Sequence, residues 1–502
     1  MNSKNSYAQI FKSSFIMGGA AGINLLLGMV RVKFAAVFLG SAGVGLNANF
    51  TAVQGLIGTI AGLGIQSSAV REVAAAVGKG DQQAIGRAVL TLRRICWLTG
   101  LVGMAAMMLL SPLISELTFG SRDYVPDIVA LGIIILFGNL SGGQIALIQG
   151  MRRLGDMGRA NVFGAAFGTV AALGFYATIG LRGIVPALVI VSALQLALSW
   201  FFARKVPVPA VSLTWRQTFA EAGDMVKLGL VMMWNGLMIS AVSYITITLI
   251  TQQAGVDGVG IYSSAFALSG IFVNFVLGAM GADYYPRLTA VATDNGALNR
   301  LVNEQTEIGL LLALPGLLAT MVLAPWLVRV FYTSEFLPAV GLVQWFILGC
   351  LGRVISWPLG YVMLALGKGR WFLLTETGAN LLHIVLIAIG LSLFGIEGVA
   401  IAFFALYIGY AIIVYAVCRS LTGFRWSRAA RHIAWRAVSL LAIVFVMVIN
   451  VPVWPASAVG SVFTLVASLY ALRSLLHRIG ADHPIARAVN KIPGLRAVCS
   501  CG

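Results

Sequence analysis

Three cationic residues lie within long apolar stretches of this sequence, where charged side chains are costly and rare. Arg31 and Lys33 precede Gly40 by seven to nine residues, which places them roughly 10–14 Å inside a helix that rises 1.5 Å per residue. Arg353 lies near the middle of another apolar stretch. Because arginine forms bidentate, charge-assisted hydrogen bonds with phosphates and carboxylates, we predict that these residues bind an anionic substrate. For Lys33 the alternative is a structural role, in which the amine reaches the nearby membrane interface. For Arg353 the alternative is a single arginine bonded to helix-end carbonyls.

Three further titratable residues are candidates for ion or proton coupling. Glu376 lies about two helical turns inside an apolar stretch. His383 is predicted to lie level with Arg353 if their two stretches form a hairpin, and Asp283 lies level with Lys227 in another predicted hairpin. For each candidate the alternative is structural: an interfacial carboxylate, a packed core histidine and an ion pair with Lys227, respectively.

No other pattern in the sequence indicates catalysis. The sequence has no Walker-type Gly-Lys-Ser/Thr loop, no His and carboxylate spacing typical of metal ligands, and no polar segment long enough for a catalytic domain. We therefore expect no enzyme activity, no cofactor and no metal site. The net charge is +17, but the cations are spread over many short connectors instead of one face, which argues against nucleic acid as a partner.

The composition is typical of a polytopic helical membrane protein. Hydrophobic residues make up 59% of the 502 residues and charged residues only 10%, which is outside the range of most water-soluble domains. A helix needs about 20 apolar residues to cross the hydrocarbon core. We predict fourteen spans, with twelve as the alternative, near residues 13–40, 46–68, 89–115, 125–149, 158–179, 183–203, 225–251, 259–285, 303–331, 336–366, 371–394, 397–418, 433–451 and 456–476.

The distribution of cations predicts the orientation in the membrane, because cytoplasmic loops retain Lys and Arg. Only Arg122, Arg182 and Arg329 fall in loops on one side of the predicted spans, while nearly all the others fall on the opposite side. This pattern predicts that both termini are cytoplasmic. The first apolar stretch is too long for a cleavable signal peptide.

Two glycine-containing turns recur at a single offset. Residues 40–46 match residues 255–261, and residues 180–184 match residues 395–399, both 215 positions apart. The matched glycines are Gly40, Gly43 and Gly45 in the first turn and Gly255, Gly258 and Gly260 in its counterpart. A shared offset indicates an internal duplication. Because each repeat has six spans, an even number, the two repeats are expected to share one orientation, related by an axis along the membrane normal.

We therefore predict an all-α fold of two six-helix bundles around a central cavity, followed by a helical hairpin. The predicted domains are a first bundle over 1–205, a cytoplasmic linker over 206–224, a second bundle over 225–420, the hairpin over 421–480 and a basic cytoplasmic tail over 481–502. The hairpin lies outside the repeat. It either packs on the rim of the bundles or flanks a groove for a long lipid tail.

Three stretches of the sequence carry a family resemblance. They are residues 28–45, which contain Arg31 and Lys33; residues 64–81, which contain Arg71 and Glu72; and residues 281–288, which contain Tyr285, Pro286 and Arg287. They resemble Wzx-type O-antigen translocases, in the polysaccharide-transporter branch of the multidrug/oligosaccharidyl-lipid/polysaccharide (MOP) superfamily. The resemblance runs through the first twelve spans.

The resemblance implies a flippase that moves undecaprenyl-diphosphate-linked oligosaccharide from the cytoplasmic to the periplasmic leaflet by alternating access, for lipopolysaccharide assembly. It implies a cationic cavity, here Arg31, Lys33 and Arg353. The expected partners are the lipid-linked glycan and membrane lipids, with a polysaccharide polymerase and a chain-length regulator as further candidates. The alternatives are a MATE-like drug/cation antiporter, a lipid II-type flippase on the same fold, and a scaffold that transports nothing.

Overall fold

The computed structural model describes the backbone of residues 3–479 and the side chains of residues 19–478, except residues 224 and 282. The predicted basic tail over 481–502 lies outside the described residues. Over the described backbone the fold is all-helical, as predicted. The α-helices are α1 (Ser3–Gly62), α2 (Ile65–Lys79), α3 (Gln82–Phe119), α4 (Val125–Gly150), α5 (Leu154–Ile179), α6 (Ile184–Ala203), α7 (Trp215–Ala290), α8 (Asn295–Phe331), α9 (Ala339–Ala365), α10 (Gly369–Phe394), α11 (Glu397–Thr422), α12 (Arg428–Asn450) and α13 (Val453–Ile479).

Eleven helical segments between residues 19 and 478 are long and apolar enough to cross a membrane. Three of them contain a break in helical geometry: at Gly40 in α1, at residues 180–183 between α5 and α6, and at Gly255 in α7. Divided at these breaks, the segments correspond to the fourteen predicted spans. The chain is a multi-pass membrane protein.

The second predicted span, 46–68, is wrong at its end. Helix α1 stops at Gly62, and the next two residues, Leu63 and Gly64, both have positive φ, at 48° and 64°. A right-handed helix cannot continue through two such residues. The chain therefore turns there and begins α2, a separate 15-residue helix that the apolar pattern did not distinguish from the span before it.

Helix α7 begins ten residues before the predicted span at 225, within the predicted linker. Thr214 and Gln217 form a capping box at its start. The Thr214 backbone N–H donates to Gln217 Oε1 at 2.8 Å, and the Gln217 N–H donates to Thr214 Oγ1 at 3.3 Å. Two otherwise unpaired N–H groups are satisfied in this way, so the helix starts at Trp215.

Backbone geometry repeats at the predicted offset of 215 residues. Gly40 and Gly255 have nearly the same dihedrals (φ 65°, ψ −166° and φ 71°, ψ −179°). Gly180 and Gly395 also match (φ 57°, ψ −133° and φ 61°, ψ −147°). All four lie in conformations that essentially only glycine adopts, which explains the glycine pattern of the sequence.

A third pair of turns, between α4 and α5 and between α9 and α10, shows the same offset. Arg152 has φ 56°, and Gly367, 215 positions later, has φ 68°. The Arg153 N–H donates to Ile148 O at 3.0 Å, as the Lys368 N–H donates to Met363 O at 2.8 Å. This pair escaped sequence comparison because arginine and glycine occupy the equivalent left-handed position.

The chain divides into two compact units. Unit 1 contains the residues up to Gly260 together with Phe331–Thr333, and unit 2 contains Ile261–Val330 and the residues from Ser334 onward. A core of buried side chains from α1, α3, α4, α5 and α6 holds unit 1 together, and includes Phe50, Met107, Ile128 and Tyr176. In unit 2 a comparable core includes Tyr284, Leu359 and Phe424. The predicted domain boundaries at 205 and 225 stay predictions.

The helical hairpin α12–α13 packs within unit 2. Trp345 of α9 contacts Phe445 of α12, with ring centroids 4.7 Å apart. Trp326 of α8 donates to Ser457 Oγ of α13 at 3.0 Å. At the other end of α13, Arg478 forms an ion pair with the buried carboxylate of Glu307, which also accepts a hydrogen bond from Ser427 Oγ at 2.8 Å. The hairpin is thus fixed to α8 at both ends of α13.

Candidate functional site

Arg31 and Lys33 both lie on the first half of α1, within unit 1. The Lys33 amine donates a hydrogen bond to the backbone carbonyl of Tyr332, and this side chain is half-buried. Arg31 is exposed, and its guanidinium lies close enough to the phenol of Tyr176 for the two groups to interact electrostatically. The two cations are therefore different in kind. Lys33 has a structural contact to the backbone, whereas Arg31 presents its charge at the surface of the unit.

The first predicted glycine turn packs against its own counterpart, and both belong to unit 1. Ser41 Oγ donates to the carboxylate of Asp257 at 2.5 Å. A β-carbon built on Gly45 would lie 1.8 Å from the backbone carbonyl oxygen of Val256. Two backbones can approach this closely only where one residue has no side chain. Gly43 packs against Leu39 and Leu181, and Gly258 is buried.

Arg353 lies on α9 within unit 2 and is half-buried. Its Nη1 donates to the side-chain oxygen of Asn274 at 3.0 Å. Asn274, an exposed residue of α7, is not conspicuous in the sequence, because a neutral amide leaves no charge signal in an apolar stretch. A neutral amide orients the guanidinium without cancelling its charge, so Arg353 remains able to bind an anion.

Glu376, the predicted coupling carboxylate, lies on α10 and accepts a hydrogen bond from the hydroxyl of Tyr410 on α11. A series of aromatic rings leads from Tyr410 to His383 within unit 2. The centroids of Tyr410 and Tyr407 are 6.2 Å apart, those of Tyr407 and Phe403 are 4.8 Å apart, and those of Phe403 and His383 are 6.1 Å apart. Glu376 is thus the carboxylate to which this aromatic series leads, and Tyr407 within the series also interacts electrostatically with Arg353.

Asp283 is paired with Arg287, one helical turn later on α7, at 3.1 Å. Both side chains are exposed. In the same motif, buried Tyr284 donates to the backbone carbonyl of Pro358 at 2.9 Å, and the ring of Tyr285 lies 5.8 Å from that of Tyr361. Pro286 lies inside α7. The geometry of this motif is that of a structural junction between α7 and α9.

The motif residues Arg71 and Glu72 lie on α2, where Arg71 is exposed and Glu72 half-buried. The next residue, Val73, is buried against Gly150 of α4, where a β-carbon would lie 2.7 Å away. The motif therefore fixes α2 against α4. Among the described residues, no three His, Cys, Asp or Glu side chains converge as metal ligands would.

The sequence matches a family described as "Polysaccharide biosynthesis protein" over residues 36–341. It is 24% identical over 414 residues to the lipid III flippase of Escherichia coli strain K12, an alignment that covers 80% of this chain and 95% of the relative. The lipid III flippase of Shigella flexneri matches at the same identity and coverage.

Among solved structures, the lipid II flippase MurJ in an inward closed conformation has a TM-score of 0.68 at 14% identity, covering 93% of this chain and 100% of that chain. An inward-facing MATE family transporter of the MOP superfamily has a TM-score of 0.65 at 14% identity, covering 80% and 94%. These likenesses concern the fold, which is the two-bundle fold of the MOP superfamily. The family match covers more than half of the chain, and the chain therefore belongs to the polysaccharide biosynthesis protein family.

Proposed function

We propose that this protein flips an undecaprenyl-diphosphate-linked oligosaccharide, such as an O-antigen unit, from the cytoplasmic to the periplasmic leaflet of the bacterial inner membrane. The observation that carries the proposal is the presence of cationic side chains, Arg31 and Arg353, on apolar helices of a polysaccharide-biosynthesis family member. Charges at such positions are costly and mark substrate pathways. The name of the bacterial relatives, lipid III flippase, supports the same substrate class.

Each of the two arginines suits a phosphate group of the substrate. Asn274 accepts one of the five N–H donors of Arg353, and the guanidinium is half-buried. The remaining donors can bind phosphate oxygens in the bidentate geometry that lysine cannot match. Arg31 presents a second cation in unit 1. An anionic headgroup that is neutralised by arginines can enter an apolar environment that it would otherwise avoid.

Coupling to an ion is assigned to Glu376 in this proposal. A carboxylate that is half-buried between α10 and α11 and bonded to Tyr410 can take up and release a proton. The same residue is the observation that favours the second candidate, a drug/cation antiporter. If the protein is such an antiporter, its overexpression should protect cells from cationic dyes, and this protection should disappear in Glu376→Gln.

The test is glycan flipping in inverted membrane vesicles, with access of a cytoplasmic-side probe to the glycan as the readout. Wild type is compared with Arg31→Ala and Arg353→Ala at matched expression. Arg300→Ala, at an exposed position near the start of α8, is the matched control for loss of one arginine. We expect wild type and Arg300→Ala to protect the glycan and the other two variants to lose about tenfold or more of the rate. Unchanged protection in both variants removes the arginines from the mechanism, and no protection by wild type refutes the flippase proposal.

A further inference from the structure

Unit 1 contains a polar groove that the mechanism above does not use. Two cavities of about 460 Å³ and about 400 Å³ share Gln54, Ile134 and Gly138 in their walls, so they adjoin each other and are described together as one groove. We call it the amide groove, because the side chains that line it include Asn24 and Gln54 of α1, Gln66 of α2, Asn139 of α4, Asn161 of α5 and Gln195 of α6. Serine and threonine side chains complete the polar lining, and none of the lining residues is charged.

The groove lies deep in apolar helices. Asn139 is near the middle of α4, roughly 16–21 Å from each helix end at 1.5 Å per residue. Amide side chains at such depth are expected to find hydrogen-bond partners, because an unpaired amide in an apolar environment is destabilising. The groove brings six amides from five helices together.

Two of these amides have unused hydrogen-bonding atoms. Asn139 is only 6% exposed, and its Nδ2 is buried with no partner among the described groups. The Oδ1 of Asn24 is also buried without a partner. Two residues of the groove wall therefore each carry one buried polar atom whose hydrogen-bonding capacity is unused. Buried polar atoms left unpaired in a native protein call for a functional explanation, such as a ligand.

Glycines keep the groove open. A β-carbon on Gly142 would lie 2.1 Å from Gln66 Nε2, and one on Gly164 would lie 2.0 Å from Gln195 Oε1. These glycines make room for the amides. Gly138 differs, because a β-carbon there would meet no atom within 4 Å. It lines both cavities, so a larger side chain at Gly138 has room to extend into the groove.

We propose that the amide groove binds the uncharged sugar residues of the lipid-linked oligosaccharide, through their hydroxyl and acetamido groups. Asparagine and glutamine each combine a donor and an acceptor, as sugar hydroxyl and acetamido groups do. A diphosphate or an acidic sugar would require cations, and a cationic drug would require carboxylates; the groove wall has neither. This inference rests on the proposed function, and it assigns the sugars to side chains other than the arginines that bind the diphosphate.

The test uses proteoliposomes with two synthetic substrates, undecaprenyl diphosphate carrying a neutral tetrasaccharide and the same lipid carrying one sugar. The variants are Gly138→Leu, which fills the groove, and Asn139→Leu, which removes the free donor. Gly174→Leu is the matched control, because Gly174 is an exposed helical glycine outside the groove with no atom within 4 Å of a β-carbon. Asn139→Ala replaces Gly138→Leu if the larger side chain prevents folding.

The groove variants are expected to lower the tetrasaccharide rate about tenfold more than the single-sugar rate, and the control is expected to leave their ratio unchanged. Equal losses with both substrates, or no loss, overturn the sugar-binding proposal while the flippase proposal stands. If wild type moves neither substrate, the flippase proposal fails. In that case the sugar-binding proposal is tested by saturation-transfer NMR, which measures binding of the free tetrasaccharide to the purified full chain. Binding to wild type that Gly138→Leu abolishes supports the proposal. No binding to wild type overturns it.

Discussion

Gly45 packs directly against the backbone of Val256. The equivalent residues of the other repeat, Gly260 and Ser41, make the same contact. A β-carbon on Gly45 would lie 1.8 Å from the Val256 carbonyl oxygen, and one on Gly260 would lie 2.1 Å from the Ser41 carbonyl oxygen. Gly260 is 215 positions after Gly45, and Val256 is 215 positions after Ser41. The two turns therefore exchange equivalent contacts, as the surfaces of a two-fold symmetric interface do.

This exchange predicts that Gly45→Ala and Gly260→Ala have the same effect. Each methyl group would overlap a carbonyl oxygen and push the two turns apart, at a cost of about 1–3 kcal/mol, the range for overpacking. Both variants are expected to lower the thermal unfolding midpoint in detergent and to slow glycan flipping. Gly174→Ala, at an exposed helical glycine with free space around it, is the control. A neutral Gly260→Ala beside a damaging Gly45→Ala would contradict the symmetric contact.

The hydrogen bond from Tyr410 to Glu376 predicts that Tyr410→Phe impairs coupling. The substitution leaves a half-buried carboxylate without its hydroxyl donor, which costs about 1–3 kcal/mol, and it keeps the ring in the aromatic series. We expect a changed pH profile of flipping in Tyr410→Phe and loss of the pH dependence in Glu376→Gln. Tyr415→Phe is the control, because the ring of Tyr415 packs against Phe424 and Trp426. Identical pH profiles for wild type and Glu376→Gln would exclude Glu376 as the coupling residue.

The ion pair between Arg478 and Glu307 predicts a strong effect on stability. Glu307 is only 5% exposed, so Arg478→Ala leaves a buried charge uncompensated, which costs about 3–5 kcal/mol. The unfolding midpoint should fall clearly, whereas Arg300→Ala at an exposed position should leave it nearly unchanged. Adding Glu307→Gln to Arg478→Ala should recover part of the loss, because the amide carries no charge and can still accept the hydrogen bond from Ser427. A double variant no more stable than Arg478→Ala would show that the charge is not the cause.

The left-handed backbone at Arg152 and Gly367 predicts opposite effects of substitution. A residue with a side chain pays about 1–2 kcal/mol in this conformation, so Arg152→Gly is expected to be neutral or stabilising and Gly367→Ala destabilising. Thermal unfolding of both variants checks this. Gly369→Ala, where a β-carbon has free space and φ is negative, is the control for loss of a glycine near the same turn. A destabilised Arg152→Gly would mean that its side chain makes contacts that outweigh the backbone strain.

The helices could be predicted from the sequence because apolar length alone marks a membrane span. The repeat could be predicted where glycine is required twice, as at Gly40 and Gly255. It was missed at Arg152 and Gly367, because different residues adopt the same backbone conformation there. Helix α2 was missed because its start depends on positive φ at Leu63 and Gly64, which no apolar pattern reports.

The candidate site likewise contains residues that the sequence predicts and residues that it does not. Arg31 and Arg353 are visible in the sequence because charge in an apolar stretch is conspicuous. Asn274 and Tyr410 were not visible, since their importance comes from the side chains that they contact. The amide groove was also hidden: its residues are neutral, are distributed between positions 24 and 195, and meet only when five helices are set at the right depths.

The link between Glu307 and the end of α13 has a consequence for any shortened version of this protein. A twelve-span chain cannot be obtained by deleting α12 and α13 alone, because the deletion would remove Arg478 and leave the buried carboxylate of Glu307 without its cation. Glu307 of α8 must change together with the last two helices. Fusion partners and affinity tags should accordingly be attached after Arg478. A junction placed earlier removes Arg478, which neutralises the buried carboxylate of Glu307.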